Sequence, residues 1–251
     1  MMISLLAALI TIGTFLPTRS FIHLGIIALV NFLFIVLTLK KPSLSKVRTL
    51  LFFNVLFLII KTTFLFLDYD YFSTILPSLI LLIIFYKALT KEKISSFFKF
   101  SNPLSFTFIL YTVVSAAGLI FWYKIANPTL PMEMDLKSAS ILKIITIGAM
   151  FSLINSFYEE IIFRGIYLKF LSNATSSTFI AITVQAIIFG LIHFLNGVPS
   201  GFIGVLLTFF YALMMGHLYL KTKSLVPCII AHLLCDGVVY GLIVFNNLGK
   251  I

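Results

Sequence analysis

Three of the eight acidic residues lie in apolar stretches, where an ionisable side chain is costly and marks a candidate functional site. They are Glu159, Glu160 and Asp236. Glu160 and Arg164 are four residues apart, so on a helix they share one face and can form an ion pair. Glu159 points about 100° away on a helix of 3.6 residues per turn and has no cation at this spacing. The pattern predicts that Arg164 holds Glu160 and that Glu159 is a candidate general base.

Two histidines occupy similar apolar stretches further along the chain. His193 follows Phe189 by four residues, which places an aromatic ring beside the imidazole. His232 precedes Asp236 by four residues, so an imidazole and a carboxyl group share another helix face. At about 1.5 Å per residue, all these groups reach depths of roughly 10–22 Å from the cytoplasmic helix ends. We therefore expect side chains from three helices to converge on one cavity inside the hydrocarbon layer.

Composition places these residues in a membrane protein. Apolar residues make up 61% of the 251 residues and charged residues 10%, against about 45–50% and about 25% in soluble domains. This excludes a soluble cytoplasmic enzyme, a disordered chain and a disulfide-stapled secreted domain. Cys228 and Cys235 lie in one apolar run and do not indicate a redox compartment. The net charge of +10 comes mostly from loops, which indicates membrane orientation rather than nucleic-acid binding.

Nine apolar runs approach the length that crosses a hydrocarbon core about 30 Å thick. The predicted fold is all-α, a polytopic transmembrane helix bundle of about 8–9 spans with the catalytic core in the last four. With the N-terminus in the cytoplasm, eleven basic loop residues face inward and five outward, so we expect this topology, in a bacterial plasma membrane. The first run lacks a basic start and a cleavage site, so we expect a retained span. The runs are 3–17, 21–39, 49–67, 72–89, 104–123, 144–171, 178–195, 202–219 and 226–245.

The polar connection over 124–140 separates spans with few polar groups from spans with many. We therefore expect N-terminal transmembrane spans of unknown role over 1–130 and a catalytic membrane core over 131–251. Tyr211, Gln185 and His217 lie in the second part but outside the motifs. We expect them to have packing or hydrogen-bonding roles.

In this order and on predicted membrane helices, three motifs together resemble the signature of the CPBP family. This is the CAAX protease and bacteriocin-processing family of intramembrane endopeptidases, also called Abi. The resemblance covers about 144–240 and implies hydrolysis of a peptide bond at or within the membrane. The motifs are Glu159-Glu160-x-x-x-Arg164, Phe189-x-x-x-His193 and His232-x-x-x-Asp236.

The resemblance also implies a role for each motif residue. Carried over from the Ras-converting CAAX endopeptidase, Glu159 is the general base and activates a water together with His193. His232 stabilises the oxyanion, and Glu160 and Arg164 support the site. The glutamate mechanism requires no cofactor. Since a glutamate and two histidines also form a credible zinc set, zinc held by Glu159, His193 and His232 is the alternative, as in a metalloprotease.

Asp236 departs from that enzyme, which has Asn at this position, although the family pattern admits either. An Asn amide donates hydrogen bonds, whereas an ionised carboxylate does not. Asp236 is therefore protonated, orients His232 or ligates a metal. These three possibilities remain open from the sequence.

The expected partners are the lipid bilayer and a substrate that is a membrane protein, a lipidated peptide or a leader peptide. A catalytically idle family member, acting as a membrane scaffold or bacteriocin-immunity protein, is one alternative. The intact motifs argue against it, because a scaffold has no reason to keep a costly buried glutamate. A proton-coupled transporter would show polar residues through several spans and inverted repeats, and neither is evident.

Overall fold

The structure is a computed structural model of the chain, and the part of the chain that it describes is entirely helical apart from turns and connections. It describes residues 21–39, 41–66, 95, 98, 105–126, 128, 139–175, 177–194 and 197–248. The helices are α1 (Phe21–Thr38), α2 (Ser45–Phe66), α3 (Phe106–Ala126), α4 (Ile141–Glu160), a π-helical segment (Ile161–Leu168), α5 (Lys169–Ala174), α6 (Thr178–Ile192), α7 (Gly201–Thr222) and α8 (Val226–Leu248). A single 3₁₀ turn, Pro42–Leu44, precedes α2.

Within the described ranges, four helices are long and apolar enough to cross a membrane: Phe106–Ala126, Ile141–Asn173, Gly201–Thr222 and Val226–Asn247. Ile22–Thr38, Val47–Ile60 and Thr178–Ile192 form shorter apolar helices. These helices support the predicted all-α membrane bundle. The count of 8–9 spans stays a prediction, because the runs at 3–17 and 72–89 lie outside the described residues.

The helix that carries the two glutamates changes geometry directly after them. The predicted run 144–171 is one continuous helix in the structure, but its residues 161–168 form a π-helix. All eight of these residues are buried. A π-helix bonds i to i+5, is rare, and is frequent at functional sites. The segment contacts α6 and α7 as well as its flanking helices, so it lies at the centre of the bundle.

Helix starts in the core are set by local capping. Ser140 precedes α4, and its hydroxyl accepts a hydrogen bond from the Lys143 backbone N–H at 3.2 Å. Ser177 does the same for α6 by accepting from the Ile180 N–H at 3.4 Å. Both serines satisfy backbone donors that have no partner inside the helix.

Two glycines allow the helices of the core to approach closely. A Cβ on Gly148 of α4 would lie 2.5 Å from the Tyr240 ring of α8. A Cβ on Gly190 of α6 would lie 2.9 Å from the Val205 carbonyl oxygen of α7. Small residues at such crossings are typical of helix packing in membranes. The α4–α8 contact brings the helices of the first and third motifs together, and α6, which leads to the second motif, contacts the π-helical segment that carries Arg164.

The remaining helices surround these two pairs. The α3 helix packs against α7 and α8. The α1 and α2 helices pack against each other, and α2 also contacts α5. The boundary between 1–130 and 131–251 stays a prediction, and α3, which precedes it, contacts helices that follow it.

Candidate active site

The predicted ion pair between Glu160 and Arg164 forms in the structure and is completely buried. Arg164 Nη1 donates to Glu160 Oε1 at 2.7 Å, and neither side chain is exposed. The same carboxylate oxygen lies 2.7 Å from Nδ1 of His232 on α8. Because that oxygen already accepts from a guanidinium, we assign the imidazole as the donor. Glu160 therefore joins the first and third motifs.

His232 lies among three carboxyl groups. Besides its bond to Glu160, its Nε2 lies 3.6 Å from Glu159 Oε2 and 3.6 Å from Asp236 Oδ1. Asn155, four residues before Glu159, donates to Asp236 Oδ2 at 3.2 Å, and its amide also faces Glu159. This arrangement orients the imidazole, with Nδ1 toward the ion pair and Nε2 toward the other two carboxyl groups.

His193 lies just after the end of its helix, whereas the predicted run placed it within the helix. The run predicted over 178–195 ends as a helix at Ile192, so His193 is the first residue of the turn that follows α6. Its Nδ1 lies 2.9 Å from the Phe189 carbonyl oxygen. A carbonyl only accepts, so Nδ1 carries the proton, and Nε2 of the neutral ring has a free lone pair. Phe189, four residues earlier, therefore contacts His193 in two ways: through its backbone carbonyl and through the predicted ring contact.

The loop after α6 packs closely on the His193 ring. Gly197 has a φ of 103°, and a Cβ there would lie 2.8 Å from His193 Cδ2. Only glycine combines this backbone conformation with so close an approach. The Phe189 ring centre lies 4.8 Å from that of His193 and 6.5 Å from that of His232, so one aromatic ring lies beside both imidazoles. The second motif therefore belongs to the same site as the third.

The rings of Phe189 and Tyr211 pack against Arg164 and the two histidines. The Arg164 guanidinium lies 5.0 Å from the Phe189 ring centre and 5.5 Å from that of Tyr211. The Phe189 and His193 rings are 4.8 Å apart, and the Tyr211 ring meets His232 edge-on at 5.2 Å. Cation–π contacts and ring packing restrict the movement of both histidines and the guanidinium.

Sequence reasoning missed two residues of this site. Tyr211 was expected only to pack or to form hydrogen bonds, but its ring contacts both His232 and Arg164. Nothing in its sequence surroundings signals this position. Asn155 carried a usable signal, since it precedes Glu159 by four residues and so shares its helix face. His217 forms the predicted kind of contact, 2.8 Å from Nδ1 to the Tyr111 hydroxyl.

The described residues do not form a ready metal site. Across the described ranges, no group of three or more His, Cys, Asp and Glu side chains is placed to hold a metal ion together. His232 uses Nδ1 for Glu160 and His193 uses Nδ1 for a carbonyl, which leaves one nitrogen on each ring. Whether Glu159, His193 and His232 hold a zinc ion therefore stays a prediction, and we derive no step through a metal.

The features so far define a class: a helical membrane protein with a buried cluster of carboxyl groups and histidines from several helices. Residues 141–238 match the model of the family described as Type II CAAX prenyl endopeptidase Rce1-like. This match confirms the predicted relationship to the CPBP family of CAAX proteases for that part of the chain. Comparisons with curated proteins and with solved structures find no significant match.

Proposed function

We propose that this chain is an intramembrane endopeptidase in which Glu159 and His193 activate a water molecule. The family match supports a CAAX-type protease in general. The single observation that carries the finer proposal is the orientation of His232. Its Nδ1 donates to the Arg164-bound Glu160, and its Nε2 lies 3.6 Å from Glu159. One carboxylate is thereby used for support, while the other lies beside a fixed imidazole.

In the proposed reaction, the water lies between the Glu159 carboxylate and the lone pair on His193 Nε2. Glu159 takes a proton from the water while the water oxygen forms a bond to the carbonyl carbon of the substrate. The negative charge that develops on the carbonyl oxygen faces His232 Nε2, which must carry a proton to stabilise it. The carbon–nitrogen bond then breaks, and the proton taken by Glu159 passes to the leaving amine.

The supporting groups have separate tasks. Arg164 and His232 both bond Oε1 of Glu160, so this carboxylate holds the supporting groups together and Glu159 is left as the base. Asp236, which accepts a hydrogen bond from Asn155, lies on the opposite side of the imidazole, beside Nε2. Asp236 is therefore proposed to orient His232, which is one of the three roles that the sequence leaves open. Held in this way, His232 Nε2 is a fixed donor, and fixed donors stabilise charge without reorganising during the reaction.

The substrate is proposed to be a membrane protein, a lipidated peptide or a leader peptide that reaches the site from the bilayer. A direct test is to label new protein termini in membranes containing either the wild type or Glu159→Gln. The expected result is a set of cleavage products that need both Glu159 and His193 and that carry ¹⁸O from labelled water in the new carboxyl group. His217→Ala is a matched histidine control outside the site and should leave the products unchanged.

The opposite result identifies the alternative. If the termini are the same with wild type and Glu159→Gln, the peptidase assignment is wrong and the catalytically idle scaffold or immunity protein is favoured. Metal use is tested on the same products. We expect a zinc chelator to leave hydrolysis unchanged, and loss of activity that added zinc restores would contradict a metal-free mechanism based on Glu159 and His193.

A further inference from the structure

A series of hydrogen-bonded, uncharged side chains, called the polar link below, joins the N-terminal helices to the π-helical segment. It consists of Asn31 in α1, Asn54 in α2 and Tyr167 in the π-helix, and each of these residues is completely buried. The proposed mechanism does not use any of them. Polar side chains inside a membrane bundle are costly unless they have partners, so their presence calls for an explanation.

The polar link is continuous, and all its hydrogen bonds are donated in the direction from Tyr167 to α1. The Tyr167 hydroxyl donates to Asn54 Oδ1 at 2.5 Å, and Asn54 Nδ2 donates to Asn31 Oδ1 at 3.1 Å. Asn31 Nδ2 in turn donates to the Ile27 carbonyl oxygen at 2.8 Å. Three segments that are far apart in sequence are therefore joined by side chains whose hydrogen bonds require a defined mutual orientation.

Tyr167 lies close to the site through a short series of ring contacts. It follows Arg164 by three residues, and its ring centre is 6.1 Å from that of Phe163. The Phe163 ring packs edge-on against Phe189 at 4.7 Å. Phe189 lies under the Arg164 guanidinium, and its carbonyl oxygen accepts from His193. A rotation of the π-helix at Tyr167 would therefore reach groups from both the first and second motifs.

Apolar packing joins the same helices but does not fix their rotation. Val47, Leu51 and Phe57 of α2 belong to the same buried cluster as Ile162 and Leu171. Lipid tails are as apolar as these side chains, so such contacts alone select weakly among rotated arrangements. Hydrogen bonds select more strongly, because a rotated tyrosine loses its partner. The π-helix is also a rare geometry that its surroundings must support.

We propose that the α1–α2 pair is a positioning element for the catalytic centre: through Asn31 and Asn54 it holds Tyr167, and so fixes how the π-helix presents Arg164 to Glu160. This inference rests on the proposed function, since it assigns a role in that site to the N-terminal helices. Asn54 and Tyr167 are positioning residues. They act through Arg164 and Glu160 on His232 and do not touch the reacting atoms.

The test uses two variants that break the same link. Tyr167→Phe removes only the hydroxyl and keeps the ring contacts, and Asn54→Leu removes the amide at similar volume. We expect each to lower kcat at least about tenfold with KM changed less than about twofold, because misplaced catalytic groups are costly. The double variant should be no worse than the more severe single variant, since residues in one network are not additive.

A matched control comes from the same helix. The Thr62 hydroxyl donates to the Leu58 carbonyl oxygen within α2 and is not part of the polar link. Thr62→Val should therefore retain the wild-type kcat and KM. Thermal unfolding of each variant reports how much folded protein is present.

A second readout does not depend on activity. The chain has four histidines, so ¹⁵N-histidine NMR of the intact protein in micelles can be assigned with single-site variants. Tyr167→Phe and Asn54→Leu should shift the His232 imidazole signals, because the bond from its Nδ1 to Glu160 changes. Thr62→Val should leave these signals in place.

Several results would overturn the inference. Folded Tyr167→Phe and Asn54→Leu with wild-type kcat and unchanged His232 signals would do so, and so would additive effects in the double variant. Loss of activity only in proportion to lost folded protein, with His232 unchanged, would show a merely structural link. If the Glu159→Gln test instead disproves the peptidase, the His232 signals alone still decide whether this link positions the cluster.

Discussion

The N-terminal helix pair and the motif cluster both bury polar groups, but they satisfy them differently. In α1 and α2, the amides of Asn31 and Asn54 pair with each other and with neutral groups. In the cluster, three carboxyl groups surround His232, and the Arg164 atoms Nε and Nη2 have no hydrogen-bond partner in the described part of the chain. The neutral amides are satisfied by a few neighbouring groups, whereas the buried guanidinium has more donors than the cluster has acceptors for it.

The difference indicates how each region acts. A hydrogen bond between amides stabilises helix association, typically by about 0.6–2 kcal/mol in membranes, and so can hold the π-helix in place. An incompletely paired charged cluster is a poor way to gain stability, and strained or under-satisfied polar groups are typical of functional sites. We therefore expect substitutions in the cluster to affect chemistry first and stability second, with one exception at Glu160.

The largest expected effect is on the carboxylate that is proposed to act as the base. Glu159→Gln keeps the size and polarity of the side chain but cannot accept the proton from water. We expect hydrolysis to fall by about 10²–10⁴-fold, with the unfolding temperature within the error of wild type. A labelled-peptide cleavage assay together with thermal unfolding measures both. Retained turnover in this variant would contradict the assignment of Glu159.

Glu160→Ala should break the distinction between chemistry and stability. It leaves the buried Arg164 guanidinium without its carboxylate and His232 without its acceptor. Activity and stability should therefore be lost together. Removing one partner of a buried ion pair typically costs about 3–5 kcal/mol. The measurement is the free energy of unfolding in micelles, and His217→Ala, which loses one hydrogen bond at an exposed position, is the reference. An unfolding free energy equal to that of wild type would show that the pair does not support the bundle.

A smaller effect is expected at Asp236. Asp236→Asn keeps an oxygen that can accept from Asn155, so it should retain activity to within a few-fold. Asp236→Ala loses that contact and the orientation of His232, and we expect roughly tenfold lower kcat, as for about one lost hydrogen bond. Steady-state kinetics of the two variants compare these outcomes. If Asn is as inactive as Ala, the carboxyl group itself is required and the orienting role is wrong.

The smallest effect is expected for Tyr211→Phe, because the ring of Tyr211 rather than its hydroxyl makes the contacts. Tyr211→Phe keeps the packing on His232 and Arg164 and should leave kcat nearly unchanged. Tyr211→Leu removes the cation–π contact, which is worth about 0.5–2 kcal/mol, and should lower kcat by a few-fold to tens of fold. Equal losses in the two variants would indicate that the hydroxyl takes part in the reaction.

Much of this site follows from spacing along single helices. The pairing of Glu160 with Arg164 was predicted from a separation of four residues, and the structure confirms it at 2.7 Å. The proximity of His232 and Asp236 follows from the same rule and is confirmed at 3.6 Å. Local spacing is readable because the geometry of one helix turn is nearly constant. The π-helix that begins just after Glu160 has no comparable signal, since it depends on the packing around it.

The sequence by itself determined an all-α membrane protein and pointed to the residues that we propose to be catalytic. These depend on composition and on periodicity within one helix. Only the tertiary structure decided that His232 bonds Glu160, 72 residues away, and that Tyr211 covers Arg164. Such contacts depend on how closely helices cross, and at Gly148 a missing side chain allows that approach. Rotation and depth of one helix against another result from many small contacts at once, so no short stretch of sequence carries them.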